Sequence, residues 1–492
     1  QFITFLKSFH QYPSNVNSLI FLDSKISKEA FETILNIIST APCFSQLSEL
    51  YFSKIREKEP LATVITAFLN SPFVIAHKQL TNVSFIDCGL DIPLILSNLT
   101  TSNQSINFLN LSGNILLTEI SKPNYFQIEE LDFSFCQFTS NSLISLLQTL
   151  ANPTKHCPSR LSLESLQMCP AEWSTFYNTI HSNPNLIGTL SSLSMLSWCG
   201  NLIQGGQFSV FTKYLLSRIP NLNELGLSGT ISNTEPDSSL LALSNFLEKR
   251  SIQKLEFTGG NQNTVLGPKI IPIFTSLLKT KSIQMLDITG QQIGSGCFEY
   301  LAELAETCLE ELRFDKNNPT NAESYISFLL RVINSKLVSA EWPESDSKFC
   351  ISKVELSSRL RVTSQLKELK VQFKARFKQI NPLMTLENSC ELLVPETMAH
   401  QGNGLSPSSS AEVMRTRSSS ILKRKLKNEQ KHQKHEAVVD MSCIQMRISM
   451  VDCAIFECIG EDALHEEPLT TALDTLNKKT SIAAFLAEHK KQ

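Results

Sequence analysis

The sequence has no run of about 18 uncharged apolar residues, the length a helix needs to cross a bilayer. Its most apolar late stretch, 438–459, is broken by Asp440, Arg447, Asp452 and Glu457. No charge of one sign predominates: 44 Lys+Arg face 47 Asp+Glu, a net charge of −3. That balance leaves no global electrostatic footprint for nucleic acid or an anionic membrane, so no nucleic-acid partner is expected. Glycine is scarce, 17 in 492 residues, which excludes a collagen. Recognisable catalytic motifs are missing too. No G-x-x-x-x-G-K-[ST], H-E-x-x-H or G-x-S-x-G occurs. His432-x-x-His435 sits among lysines without Cys and is read as a solvated face, and Cys453 and Cys458 have the wrong spacing for a zinc knuckle. The expectation is no enzyme, no catalytic residues, no metal and no cofactor. No signal-peptide pattern is found, and the first residue is Gln1, so further residues upstream are expected.

What the chain has is a repeat. Its 42% apolar residues recur in one phrase: apolar, two residues, apolar, one residue, apolar, then a small polar residue or Cys three further on. Examples are Leu80-x-x-Val83-x-Phe85-x-x-Cys88, Ile106-x-x-Leu109-x-Leu111-x-x-Asn114 and Ile128-x-x-Leu131-x-Phe133-x-x-Cys136. Others are Leu193-x-x-Leu196-x-Trp198-x-x-Asn201 and Leu309-x-x-Leu312-x-Phe314-x-x-Asn317, with further copies at Leu222, Ile252 and Ile283. Weaker copies start at Val16, Leu47, Pro158, Leu337 and Leu366. About thirteen copies at a mean period of about 29 residues read as leucine-rich repeats. Alternating apolar positions make each phrase a short strand with one face inward. Stacked in parallel, the strands share one core. Asn or Cys at the turn supplies a short side chain that hydrogen-bonds loop backbone.

Between the strands lie amphipathic helical segments, at 27–39, 140–150, 239–247 and 297–308. The fold class expected is α/β: a leucine-rich repeat solenoid, or horseshoe, with parallel strands on the concave face and helices on the convex face. The array is expected over 1–390, with Phe2, Phe5, Leu6 and Phe9 as the helix of a truncated first repeat. A flexible basic linker follows at 391–436 and a segment of unknown fold at 437–492, where 438–459 suggests a hairpin and 470–490 a helix.

Three features bear on function. The 13 Cys are read as buried thiols, since Cys88 and Cys136 occupy the Asn position and Cys297 and Cys308 fall on a helix. Sequons at Asn82, Asn98, Asn103 and Asn110 are read as fortuitous in an Asn-rich chain. Outward strand positions of the later repeats carry Glu224, Glu256, Asp287, Glu311, Asp315 and Glu341. These are either a solvated acidic face or a docking row for a basic segment of a protein partner. The stretch 413–435 holds Arg415, Arg417, Lys423, Arg424, Lys425 and Lys427. It is a solvated linker, an anionic-lipid contact, a nuclear import signal or the partner of the acidic row. Ser418 and Ser420, each three residues after an Arg, match basophilic kinase patterns.

The repeat phrases resemble the leucine-rich repeat family, in its ribonuclease-inhibitor-like class. Irregular periods and a basic tail are most similar to the CARMIL-type scaffold proteins and to related repeat proteins of protists. That resemblance covers roughly 1–387. It implies a non-enzymatic, cytoplasmic protein-interaction scaffold that uses its concave face in cytoskeletal (actin) regulation. Ran GTPase-activating proteins share the repeat class and supply the alternative, a GTPase-activating regulator, although their tails are acidic and this one is basic.

Overall fold

The computed structural model describes residues 16–22, 26–55, 61–76, 80–98, 106–120, 128–151, 158–380, 444–449 and 453–458. The chain divides into two units, Gln1–Ile380 with Val438–Gln492, and Asn381–Ala437. The second unit lies outside the described residues, and with it the linker and the basic stretch carrying Arg415, Arg417, Lys423, Arg424, Lys425 and Lys427. The expected truncated helix at Phe2–Phe9 and the expected helix at 470–490 also lie outside them.

Twelve parallel strands share one sheet: β1 (Val16–Leu22), β2 (Glu49–Ser53), β3 (Asn82–Ile86), β4 (Phe108–Asn110), β5 (Glu130–Asp132), β6 (Arg160–Ser162), β7 (Met195–Ser197), β8 (Glu224–Gly226), β9 (Lys254–Glu256), β10 (Met285–Asp287), β11 (Glu311–Arg313) and β12 (Ser339–Ala340). Each pairs with the next in sequence order. Between them run α1 (Lys28–Thr40), α2 (Ala62–Leu69), α3 (Pro72–Ala76), α4 (Ile92–Asn98), α5 (Ser140–Leu150), α6 (Pro170–Ser182), α7 (Gln207–Tyr214), α8 (Pro236–Leu247), α9 (Ile271–Thr280), α10 (Phe298–Thr307) and α11 (Ala322–Asn334). This is a leucine-rich repeat solenoid, strands on the concave side and helices on the convex side. No helix among the described residues is long and apolar enough to cross a membrane.

The register aligns one inward position through the stack. Leu109, Leu131, Leu161, Leu196, Leu225, Leu255, Leu286 and Leu312 lie side by side. All are 2% exposed or less. The next inward position begins as a stack of rings: Phe21 to Phe52 at 4.5 Å and Phe52 to Phe85 at 5.5 Å, both near parallel. Helices close the other side of this core. In α1, Phe31, Ile34, Leu35 and Ile38 face inward at helical spacing. Its first turn is capped by Ser27, whose hydroxyl accepts from the Ala30 amide at 3.3 Å. In α5, Thr139 and Ser142 satisfy each other's backbone amides in a capping box.

The turn after each strand joins the repeats. Asn114 Nδ2 donates to the Phe85 carbonyl of the preceding repeat at 2.6 Å and to its own Leu111 carbonyl at 2.8 Å. Its Oδ1 accepts from the amides of Cys88 and Leu90, at 2.9 and 3.0 Å. Asn201 and Asn317 reach back likewise to Leu163 and Ile288. Cys136 Sγ points to Leu111 O at 3.2 Å, Thr230 Oγ1 to Trp198 O at 3.3 Å, and Gln291 Nε2 to Phe257 O at 2.9 Å. Thr230 thus fills the Asn role with a hydroxyl, and Gln291 fills it although it is not small. One residue earlier the backbone turns left-handed, at Asp87, Gly113, Phe135, Ser165, Gly200 and Gly229 in successive repeats. At Gly200 a Cβ would collide with Ser165 Oγ, so this turn requires glycine.

Two expectations are corrected. Leu366-x-x-Leu369-x-Val371 fits the strand phrase but lies in a helix, so the copy at Leu366 is not a thirteenth strand. Val362, Leu366, Leu369, Phe373 and Phe377 are the buried residues there, spaced for a helix, while Val371 is 70% exposed. Cys297 and Cys308 flank α10 rather than lying within it. The array ends instead in α12 (Glu344–Lys353) and α13 (Leu356–Ile380). At the opposite edge, β13 (Ile444–Ser449) pairs antiparallel with β1, and β14 (Cys453–Cys458) pairs antiparallel with β13.

The turn network generates a stability prediction. Asn114→Ala removes the backward bond to the Phe85 carbonyl and the bond to its own Leu111 carbonyl, and strands the Cys88 and Leu90 amides in the core. Each buried unpaired group costs about 1–3 kcal/mol, so the loss should reach about 3 kcal/mol or more. A lower urea midpoint checks it, while Asn110→Ala on the strand face should change the midpoint far less.

Candidate functional site

The strand face is the surface that the repeats assemble, and its chemistry follows from register. On either side of the leucine position run two outward columns. The first reads Glu130, Arg160, Met195, Glu224, Lys254, Met285 and Glu311 from β5 to β11. The second reads Asp132, Ser162, Ser197, Gly226, Glu256, Asp287 and Arg313. The acidic positions singled out from the sequence therefore do not form one row. Glu224 and Glu311 stand in the first column, Glu256 and Asp287 in the second, and Asp315 lies beyond the end of β11.

Their environments differ as well. Arg160 bridges Glu130 and Glu224, both at 3.1 Å, and Lys254 holds the other oxygen of Glu224 at 3.1 Å. Glu311 pairs with Arg313 at 2.8 Å. Asp315 accepts the amides of Ser345 and Asp346 at the start of α12, at 3.1 and 2.9 Å, a carboxylate placed where helix amides lack partners. Asp287 is 9% exposed and accepts the Thr289 amide at 2.9 Å. Glu341 is exposed.

Glu256 is the acid with the most unusual setting. Ser228 Oγ donates to its Oε1 at 3.1 Å, and Cys199 Sγ lies 3.9 Å from the same atom. Beside it Ser197 Oγ donates to Glu164 at 2.5 Å. Desolvation on the sheet raises the Glu256 carboxyl above its ordinary value; the charges of Glu164 and Asp287 add to the rise, and the Ser228 hydroxyl and the Arg313 charge oppose it. Glu256, Asp287 and Glu164 thus form a patch whose negative charges repel one another. Gly226 lies in the same region, and a Cβ there would fall 2.7 Å from Ser197 Oγ.

Sequence reasoning missed three contributors to this face. Arg160 and Glu164 fall in the weak copy at Pro158, and their partners lie one or two repeats away. Phe135 is 53% exposed in a left-handed turn that Gly113, Gly200 and Gly229 occupy in other repeats. A bulky residue there carries backbone strain of about 1–2 kcal/mol. An aromatic ring in a glycine position was the available signal.

The described thiols are all free, but the buried reading holds for Cys88, Cys136, Cys199, Cys297 and Cys350 only: Cys308 is half-buried, and Cys169, just before α6, is exposed. Cys88 and Cys136 are buried and free, and burial pushes both up to about 12. Such thiols are poor nucleophiles. Among the described residues, no group of three or more His, Cys, Asp or Glu is arranged to hold a metal ion.

No protein-family model matches the chain. No curated protein matches it in sequence. Among solved structures it is similar to one titled as a crystal structure of a TLR13–ssRNA13 complex, with 14% identity and a TM-score of 0.28. The similarity covers 61% of this chain and 44% of that one, so this chain spans less than half of that protein's length. The class of protein, a leucine-rich repeat solenoid, is set by the strands, columns and turn hydrogen bonds described above.

Asp346 behind Asp315 generates a pH prediction. Its Oδ1 accepts the amides of Asn317 and Asn318 at 2.6 and 2.8 Å, while Oδ2 is buried without a partner. Burial pushes the carboxyl from 3.8 up to about 7; the two amides oppose the rise and the Asp315 charge adds to it. A folded value above the unfolded one means that folding takes up a proton. The resulting stability is fully present below pH 3.8 and is lost as pH rises towards 7, on the order of 4 kcal/mol over that window. Asp346→Asn should abolish this slope. Urea midpoints across the window check it: the variant's advantage over the parent should grow with pH and level off above about 7.

Proposed function

We propose that this protein is a non-enzymatic scaffold that holds protein partners on the concave strand face. The observation that carries this reading is the face itself. Twelve parallel strands present two outward columns, in which Glu256, Asp287 and Glu164 lie together and make no ion pair among the described residues of the kind that holds Glu224 and Glu311; Arg313, itself paired with Glu311, offsets Glu256 only at longer range. A carboxylate patch offset only in part by Arg313 favours a cationic segment, which relieves the repulsion that adds to the burial-driven rise of the Glu256 carboxyl. The exposed ring of Phe135 offers an apolar anchor of the type enriched at binding hot spots.

In this reading the candidate row narrows. Glu256, Asp287 and Glu341 take the partner's charges, while Glu224, Glu311 and Asp315 hold Arg160 and Lys254, Arg313 and the start of α12. The partner is a basic protein segment. The chain's own stretch through Arg415, Arg417, Lys423, Arg424, Lys425 and Lys427 is the first candidate, since tethering raises its effective concentration. Phosphorylation at Ser418 or Ser420 then weakens the contact by adding negative charge. The wider role we propose is cytoplasmic and cytoskeletal, as the similarity to CARMIL-type scaffolds implies.

The test uses the full chain with those six tail cations changed to Gln, mixed with a synthetic 415–435 peptide. The peptide should bind, more tightly at low salt, because exposed charges are screened as salt rises. Glu256→Gln with Glu341→Gln should weaken it by about tenfold, the equivalent of roughly 1.4 kcal/mol. Binding should also weaken as the solution is acidified, because a protonated Glu256 no longer attracts a cation. Binding indifferent to both substitutions would leave the patch as solvated surface, and stimulation of GTP hydrolysis by Ran would favour the GTPase-activating alternative instead.

A further inference from the structure

The end of a repeat array is expected to present a polar outer face to water. Helix α13 does not. Its inner face is buried, with Phe373 edge-on to Trp342 at 5.5 Å. Its outer face carries Leu356, Leu360 and Val371, exposed by 80%, 86% and 70%, the three most exposed large apolar side chains among the described residues. At 3.6 residues per turn these three share about 60° of arc with Lys367 and Lys374. Over the whole helix seven Lys or Arg stand against one acid, Glu368, in a chain whose net charge is −3.

Several of those cations are already engaged. Lys370 pairs with Glu344 at 2.5 Å, Arg376 donates to the Ser335 and Leu337 carbonyls, and Arg359 donates to Val354 O. Arg361 reaches Glu323 only at 4.0 Å. Lys367 and Lys374 make no ion pair among the described residues. They are the two that share the stripe with the leucines.

We propose that α13 is a membrane-surface helix that lies along an anionic bilayer, with Leu356, Leu360 and Val371 entering the acyl boundary and Lys367 and Lys374 at the level of the phosphates. Charge decides among the possible occupants. A second copy of the same face would set cation against cation with no acid on the stripe. An acidic protein groove satisfies the lysines, but the apolar side chains are spaced along a line of about 22 Å rather than gathered into a patch. A planar surface that is anionic above and apolar beneath matches that line, because each side chain enters separately while the lysine stems extend back to the headgroups. The basic stretch that follows in sequence, 415–434, adds attraction to the same anionic surface without being required for it.

The experiment is co-sedimentation of the full chain with vesicles of phosphatidylcholine alone or mixed with phosphatidylserine. It is run on the parent and on the chain with the six tail cations changed to Gln, so that the helix is read apart from the tail. Both should bind the mixed vesicles, more weakly as salt rises, and neither should bind phosphatidylcholine. Leu356→Ser with Leu360→Ser should cost at least about tenfold in binding, and so should Lys367→Glu with Lys374→Glu. These side chains face solvent, so circular dichroism of the variants should match the parent. Leu360→Trp adds a second readout, an indole emission that shifts to the blue with mixed vesicles. Absence of binding to mixed vesicles, or binding that depends on the lysines and not on the leucines, overturns the proposal. So does a solution dimer dissolved by the leucine substitutions, or an affinity for polyglutamate that requires the same leucines.

Discussion

A short side chain reaching backward across one repeat holds this solenoid together. Each turn leaves buried amides and carbonyls that neither strand nor helix satisfies, and a buried backbone group without a partner is costly. Asn114 resolves this by donating to the repeat behind and accepting two amides at once. Asn201, Asn317, Thr230, Gln291 and Cys136 do the same job with fewer bonds. The requirement is a donor that reaches the preceding carbonyl, which is why amide, hydroxyl and thiol interchange. Because every such bond crosses a repeat boundary, each repeat is completed by its neighbour, and the stack melts by boundaries rather than by single units.

Most of this was legible from residue spacing, because the period-2 phrase and the helical stripes report burial directly. Leu131 in its column and Phe31 on α1 are where the pattern places them. The phrase failed at Leu366, where apolar residues at helical spacing satisfy a strand template by coincidence; Val362, Phe373 and Phe377 on the same face decide the matter. It also missed Gln291, since the template asks for a small side chain and not for the donor that these residues share.

The charged face was less legible, for a physical reason. Glu224 and Glu256 both point outward, yet one precedes the leucine position and the other follows it, and this separates them laterally on the sheet. Whether either carboxylate is neutralised depends on residues about thirty or sixty positions away, as with Lys254 and Arg160. The electrostatics of the strand face is thus a property of the stacking order. Moving one repeat would rewrite the ion pairs of its neighbours without changing any strand.

The antiparallel pairing of β13 with β1 bears on how the molecule comes together. In an open array, both ends fray independently and folding can begin anywhere. Here β1 takes this partner from a segment more than four hundred residues later, so that edge of the sheet stays open until those residues exist. During synthesis that edge stays unpaired longest, a template for stray strands in the interval. The β1 edge therefore closes late in assembly, after the repeats that stack on its other side have been made.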